Sequence, residues 1–169
     1  MFDGRHAQQV FASKPHNSLR CVKGGCFPMA GRFGVIGCGY VGAAAACHFG
    51  QMGLEVTGTT TSPSRLQELC GIVDHPRIYR AGDSRSDASF LDSLDGLLIA
   101  IAPTTMSMEE DQYRSVYGTG VSALVESIKA RESDRPLHVS YLSSAGVYGN
   151  QFGEICDESS PTDRSNSAN

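Results

Sequence analysis

Three glycines stand at the spacing Gly37-x-Gly39-x-x-Gly42, directly after the apolar run Phe33-Gly-Val-Ile36 and directly before four consecutive alanines, Ala43 to Ala46. Each glycine has its own physical task at such a strand-to-helix turn. Gly37 permits a tight turn out of the strand, Gly39 removes the side chain that would block an approaching phosphate, and Gly42 lets helix and strand come close. The unpaired N–H groups and dipole of a helix N-terminus favour an anion there, which makes Gly37, Gly39, Tyr40, Val41 and Gly42 candidate ligands of a pyrophosphate. The alanines are small enough to hold that helix against a sheet, so that its first turn stays aimed at the anion.

About 20 residues after such a turn, a chain that binds NAD commonly carries an acid for the ribose hydroxyls. Here the sequence is Gly58-Thr-Thr-Thr-Ser-Pro-Ser-Arg65, with no acid. Glu55 comes too early and Glu68 too late. Hydroxyls from Thr59, Thr60, Thr61 and Ser62 with the Arg65 guanidinium suit a 2′-phosphate, which a carboxylate would repel. NADP is therefore the preferred cofactor, with NAD the alternative; equally, these residues can serve only to cap a helix starting near Ser64.

The elements that must position these groups alternate along the chain. Strands are expected at Phe33 to Ile36, Leu54 to Gly58, Arg77 to Ala81, Gly96 to Ala102 and Leu137 to Leu142. Helices are expected up to Met52, over Ser64 to Cys70 and over about Met108 to Arg131, with a short helix or turn from Asp87 to Leu94. The long helix carries Tyr113, Val116, Tyr117, Gly120, Val121, Leu124, Val125 and Ile128 at spacings that make one buried stripe. Strands separated by helices imply right-handed crossovers, hence an α/β fold with a Rossmann-type doubly wound parallel sheet covered on both faces.

Length and composition agree with one such domain. The chain has 169 residues, a formal net charge of -4, 19% charged and 40% hydrophobic residues. That balance lacks the basic excess of a nucleic-acid binder, and no apolar run is long enough to span a membrane. Residues 1–31 carry Arg5, Lys14, Arg20 and Lys23 against Asp3 alone and read as a basic extension, either an organelle-targeting peptide or a disordered segment. Residues 32–149 form the expected domain, and 150–169 a polar tail. Six cysteines without a Cys-x-x-Cys pair read as free thiols in a reducing compartment, cytoplasm or organelle stroma, with no metal site.

The glycine turn, Ala100-Ile-Ala-Pro103, Tyr117-Gly-Thr-Gly120 and above all Tyr141-Leu-Ser-Ser-Ala-Gly-Val-Tyr-Gly149 resemble the extended short-chain dehydrogenase/reductase family, in its NAD-dependent epimerase/dehydratase group. The glycine turn alone equally suits sugar-nucleotide 6-dehydrogenases; the Ser-Ser-Ala-x-Val-Tyr-Gly run favours the epimerase group. The Gly-x-Gly-x-x-Gly spacing, tighter than that of most extended members, marks an atypical branch. The resemblance implies that Asp83 lies beside the adenine, that Ala102 and Pro103 run along the cofactor toward the nicotinamide, and that Ser144 holds the substrate oxygen. It implies hydride transfer at an alcohol or carbonyl carbon of a small molecule, by analogy a nucleotide sugar. Tyr148, followed by glycine, shapes the loop instead of acting as the catalytic tyrosine. The family's Tyr-x-x-x-Lys pair is absent, and Ser115 stands where the family often has asparagine. The expectation is therefore the N-terminal portion of such an enzyme, truncated after about five strands, with the start of a missing substrate lobe and an exposed sheet edge open to a partner strand.

Overall fold

The computed structural model describes residues 31–102, 114–148 and 153–162. Five strands form one sheet: β1 (Arg32–Ile36), β2 (Glu55–Thr60), β3 (His75–Ile78), β4 (Gly96–Ile99) and β5 (His138–Tyr141). All are parallel, in the order β3-β2-β1-β4-β5. The chain first winds outward from β1 to β3 and then returns to β4 and β5 on the other side. The order reverses between β1 and β4, and the carboxyl ends of these two strands flank the crevice where such sheets take their ligands.

The two faces of the sheet have separate cores, as the side-chain alternation of a doubly covered sheet requires. On one face Val35, Val56 and Leu98 pack under α1 (Tyr40–Gln51) and α2 (Leu66–Cys70), through Ala46, Leu69 and Val73. On the other, Ile36, Leu97 and Ile99 pack under the 3-10 turn Ser89–Ser93, through Phe90 and Leu91, and under Leu124 of α3 (Val121–Lys129). Ala46 is fully buried and Ala43 leans on the same core, whereas Ala44 faces solvent. The close approach of α1 thus rests on the first and last of the four alanines, three residues apart on one helix face.

Several expected boundaries move, for identifiable reasons. β2 begins one residue later than expected and runs on through Thr59 and Thr60, because a β-branched threonine fits a pleated, buried strand as well as it fits a ligand loop. β3 starts two residues early and contains Pro76; an edge strand tolerates a proline because the N–H it lacks need not enter a ladder. β4 ends at Ile99, so Ala100 to Ala102 lie in the loop beyond it.

The long helix is described only from Arg114, opening with a π-helical turn at Ser115–Gly120. Its expected buried stripe is incomplete. Leu124 is buried and Ile128 packs on the core, but Val125 is exposed, and all four residues of β5 are exposed. β5 is the margin of the sheet, as the expected open edge requires: among the described residues, no element beyond β5 completes either layer. The start of that helix, Pro103 and Gly149 fall outside the described residues.

Candidate functional site

The turn between β1 and α1 has the conformation its glycines were expected to serve. Gly37 has φ of 90°, a left-handed conformation that L side chains rarely adopt. A side chain there would also strike the Ala100 carbonyl of β4's loop, whose N–H bonds to the Ile36 carbonyl at 2.8 Å. At Gly42 a β-carbon would press into the Gly37 carbonyl oxygen and approach Val35. At Gly39, by contrast, it would meet nothing within 4 Å among the described residues. One glycine thus turns the chain, one lets helix meet strand, and the middle one opens onto free space.

Gly39 is the N-cap of α1, and its carbonyl accepts the first helical bond from the Ala43 N–H at 3.0 Å. No side chain caps this end and no acid lies in its first turn. The amides of Tyr40, Val41 and Gly42 have no preceding helical carbonyl to bond, so they present donors and the positive end of the dipole to whatever occupies the space before Gly39. Tyr40, with 96% of its surface exposed, and Val41 project beside it. These donors and the positive end of the dipole suit a diphosphate in charge and hydrogen-bonding chemistry.

The end of β2 lies alongside and fixes the turn. The Gly37 N–H donates to Thr59 Oγ1 at 3.1 Å, and the Cys38 N–H donates to the Thr59 carbonyl at 2.8 Å. Thr59 is only 1% exposed, and the neighbouring Thr60 accepts through Oγ1 from the Ser62 N–H at 3.2 Å. Thr59 and Thr60, expected to offer hydroxyls to a ligand, use their Oγ1 atoms here as acceptors for the chain's own loops. Both lie inside the strand with those oxygens engaged by backbone amides.

The groups of this region nearer solvent are Thr61, the Ser62–Ser64 hydroxyl pair at 2.8 Å, and the half-buried Arg65, which makes a loose 3.5 Å pair with Glu68. Ser64 had been read only as the start of a helix; its side chain becomes interesting once the turn Pro63–Arg65 places it beside Ser62. Glu55 occupies the opposite edge of the sheet, bonded to Arg32 at 3.1 Å and His75 at 2.7 Å. The end of β2 therefore presents a cation and hydroxyls, with its one carboxylate strand residue facing away at the far end.

Cys38, inside the glycine turn, is buried over Gly58 and against Val73; a side chain at Gly58 would collide with its sulfur. Burial pushes its thiol up to about 11, outweighing the Thr59 backbone hydrogen bond and the Arg65 charge that favour the ionised form. It is a packing residue and a poor nucleophile at neutral pH.

Asp83 follows β3 and lines a cleft of about 280 Å³ with Arg80, Ser86, Ala123 and Ser127. Its carboxylate takes both Arg85 Nε at 3.0 Å and Nη2 at 2.9 Å, together with the Arg85 N–H at 3.0 Å. These bonds hold the Asp83 carboxyl down at about 2. The residue thus organises its own turn while facing the cleft.

Ala102 is exposed beyond β4. Ser144 is exposed beyond β5, where its carbonyl accepts from the Val147 N–H at 3.3 Å in the turn leading to the half-buried Tyr148. The glycine turn, the loop after β2, Asp83, Ala102 and Ser144 consequently all follow the carboxyl ends of their strands, on one edge of the sheet. Among the described residues no cluster of His, Cys, Asp or Glu can hold a metal, and no helix is long and apolar enough to cross a membrane.

A parallel sheet in this order, with a glycine turn at its point of reversal, decides the architecture. The fold is Rossmann-type. No protein-family model and no characterised protein sequence matches the chain. Solved structures with the same fold do.

UDP-glucose-4-epimerase from Stenotrophomonas maltophila, with bound NAD and formylated UDP-arabinopyranose, is 21% identical with a TM-score of 0.63, over 78% of this chain and 42% of that one. A protein described as an NAD-dependent epimerase/dehydratase, from Bacillus halodurans, is 16% identical with a TM-score of 0.59, over 75% of this chain and 57% of that one. A short-chain dehydrogenase/reductase superfamily protein from Agrobacterium tumefaciens with bound NAD is 21% identical with a TM-score of 0.55, over 70% of this chain and 34% of that one. The chain thus shares a Rossmann-type fold with dehydrogenases and epimerases, over about half the length of such structures or less.

Proposed function

We propose that this chain is the NADP-binding domain of an epimerase-, dehydratase- or reductase-type oxidoreductase. The observation that carries the reading is the uncapped head of α1 behind Gly39, opening onto free space at the reversal point of the sheet. The residues that hold the cofactor are the amides of Tyr40, Val41 and Gly42 at the pyrophosphate, Ser62, Ser64 and Arg65 at a 2′-phosphate, Asp83 and its cleft at the adenine side, and Ala102 toward the nicotinamide. Two of the fold relatives have bound NAD, which supports a nicotinamide dinucleotide; the cation and hydroxyls after β2, without an acid, favour the phosphorylated form.

The chemistry such a cofactor supplies when bound is hydride transfer. Ser144, at the carboxyl end of β5, is the residue to hold the substrate oxygen by hydrogen bonding, and the nucleotide-sugar ligand of one relative makes that class the first to try. A positioned acid–base pair contributes about 10²- to 10⁴-fold to such a reaction, and these 169 residues contain no Tyr-x-x-x-Lys. A second reading has the domain bind NADP without turnover, as a regulatory or interaction module.

Fluorescence titration with NADPH and NADH tests the binding claim. The expected result is saturable binding of both, tighter for NADPH, with Arg65→Ala weakening NADPH about tenfold and NADH little. Equal affinities, unchanged in Arg65→Ala, would contradict NADP preference; no affinity for either in folded protein would end the reading. Turnover on a panel of carbonyl substrates separates the enzyme from the module.

A further inference from the structure

Two adjacent threonines at the end of β2, both almost wholly buried, hold the two loops that the proposed function assigns to different parts of one cofactor. Thr59 Oγ1 accepts the Gly37 N–H at 3.1 Å, and its carbonyl accepts the Cys38 N–H at 2.8 Å. Thr60 Oγ1 accepts the Ser62 N–H at 3.2 Å, and its carbonyl accepts the Tyr79 N–H at 3.0 Å at the end of β3. Strand alternation sends the two side chains in opposite directions, so a single dipeptide grips one loop with each hydroxyl.

A third threonine on the same strand provides the contrast. Thr57 is buried to a similar degree, at 6% exposed, but sits two residues deeper, where β2 pairs with Gly34 of β1 and His75 of β3 and reaches neither loop.

Valine matches threonine in shape but cannot accept a hydrogen bond. Replacement would leave the Gly37 or Ser62 amide unpaired and free to reorient, at the cost of an unmet buried hydrogen bond. The direction of each amide is what each loop contributes, since a misplaced donor loses much of its bond to an anion.

We infer that Thr59 and Thr60 are separate positioning residues of the cofactor site: Thr59 sets the pyrophosphate turn through Gly37, and Thr60 sets the 2′-phosphate loop through Ser62. Neither touches the cofactor. The inference rests on the proposed binding of a dinucleotide at the glycine turn and deepens it, because it divides overall affinity from phosphate discrimination within one strand. A valine at position 59 weakens whatever carries a diphosphate. A valine at position 60 weakens only the ligand that carries the extra phosphate.

The test is titration of the full chain and of Thr57→Val, Thr59→Val, Thr59→Ser and Thr60→Val with NADPH and with NADH, each variant checked by circular dichroism. Thr59→Val is expected to weaken both dinucleotides by a similar factor, about tenfold, and Thr59→Ser, which keeps the acceptor, to stay within about threefold of the parent. Thr60→Val is expected to weaken NADPH about five- to tenfold while NADH changes less than about twofold; Thr57→Val should leave both affinities near the parent's. A folded Thr59→Val that binds like the parent, or a Thr60→Val that weakens both ligands equally, overturns the inference while leaving the proposed function intact. Should Thr59→Val fail to fold, the NADPH-to-NADH ratio of Thr60→Val decides alone. A parent chain that is folded and binds neither dinucleotide sinks both readings together.

Discussion

Gly39 and Gly42 stand three residues apart and face different surroundings, so the same substitution should do different things to them. A methyl group on Gly39 enters open space, with backbone angles of -74° and -151° that any residue accepts. Gly39→Ala should cost about 1 kcal/mol of stability or less, yet lower dinucleotide affinity about tenfold by narrowing the cradle. Gly42→Ala forces the methyl onto the Gly37 carbonyl and should cost about 1 to 3 kcal/mol in urea unfolding, with binding lost as a consequence. Equal stability losses in the two variants would contradict this assignment.

At Cys38 the readout is pH. Its thiol, held at about 11 in the folded state against an ordinary 9.0, stays protonated while the unfolded chain begins to ionise. The contribution is therefore complete below about pH 9 and falls away as pH rises toward 11, by roughly 2 to 3 kcal/mol at most. The stability curve of Cys38→Ala should be flatter than the parent's across that window, and slow labelling of this thiol at pH 8 should accompany it.

Asp95, just before β4, shows how one loop residue organises several elements. Its carboxylate accepts the Arg32 N–H at 2.9 Å and pairs with Arg135, while its backbone donates to the Arg32 carbonyl and accepts from the His138 N–H. It thereby aligns the starts of β1, β4 and β5, far from the proposed cofactor site. Asp95→Ala should lower stability by about 1 to 2 kcal/mol in urea unfolding while NADPH affinity stays within about twofold. A selective loss of affinity with unchanged stability would show that this edge communicates with the other. The elements themselves were largely legible in the sequence, because alternating apolar strands and helix-forming segments report on local periodicity. Their ends were less so. The extension of β2 through Thr60 depends on register against Gly58, Thr59 and Thr60's partners in β3, and the early start of β3 depends on its being an edge.

At the scale of the whole sheet, β5 is the margin among the described residues. Val139, Tyr141 and Leu142 are each between 42% and 46% exposed on a strand at the end of the sheet, a surface suited to association. Light scattering should show self-association rising with concentration, and Val139→Lys should reduce it without altering cofactor affinity, since β5's start lies away from the glycine turn. Cofactor binding to the folded state alone should add about 2.7 kcal/mol at 100 times the dissociation constant, visible as a raised thermal midpoint. A midpoint insensitive to both NADPH and NADH would argue against binding.

The sequence by itself determined the glycine turn, the alternation of strands with helices and the lack of an acid after β2. These are local properties: a turn needs particular residues at particular spacings, and the chain states both directly. Only the tertiary structure decided that the Thr59 oxygens are committed to the amides of the glycine turn, and that β5 lies uncovered among the described residues. Those facts depend on groups brought together from distant positions, as Gly37 and Thr59 are across 22 residues, and on which strands end up at the margin of the sheet. Hydrophobic pattern fixes which face of a strand is buried, but a hydroxyl's partner is chosen by the neighbour that packing delivers.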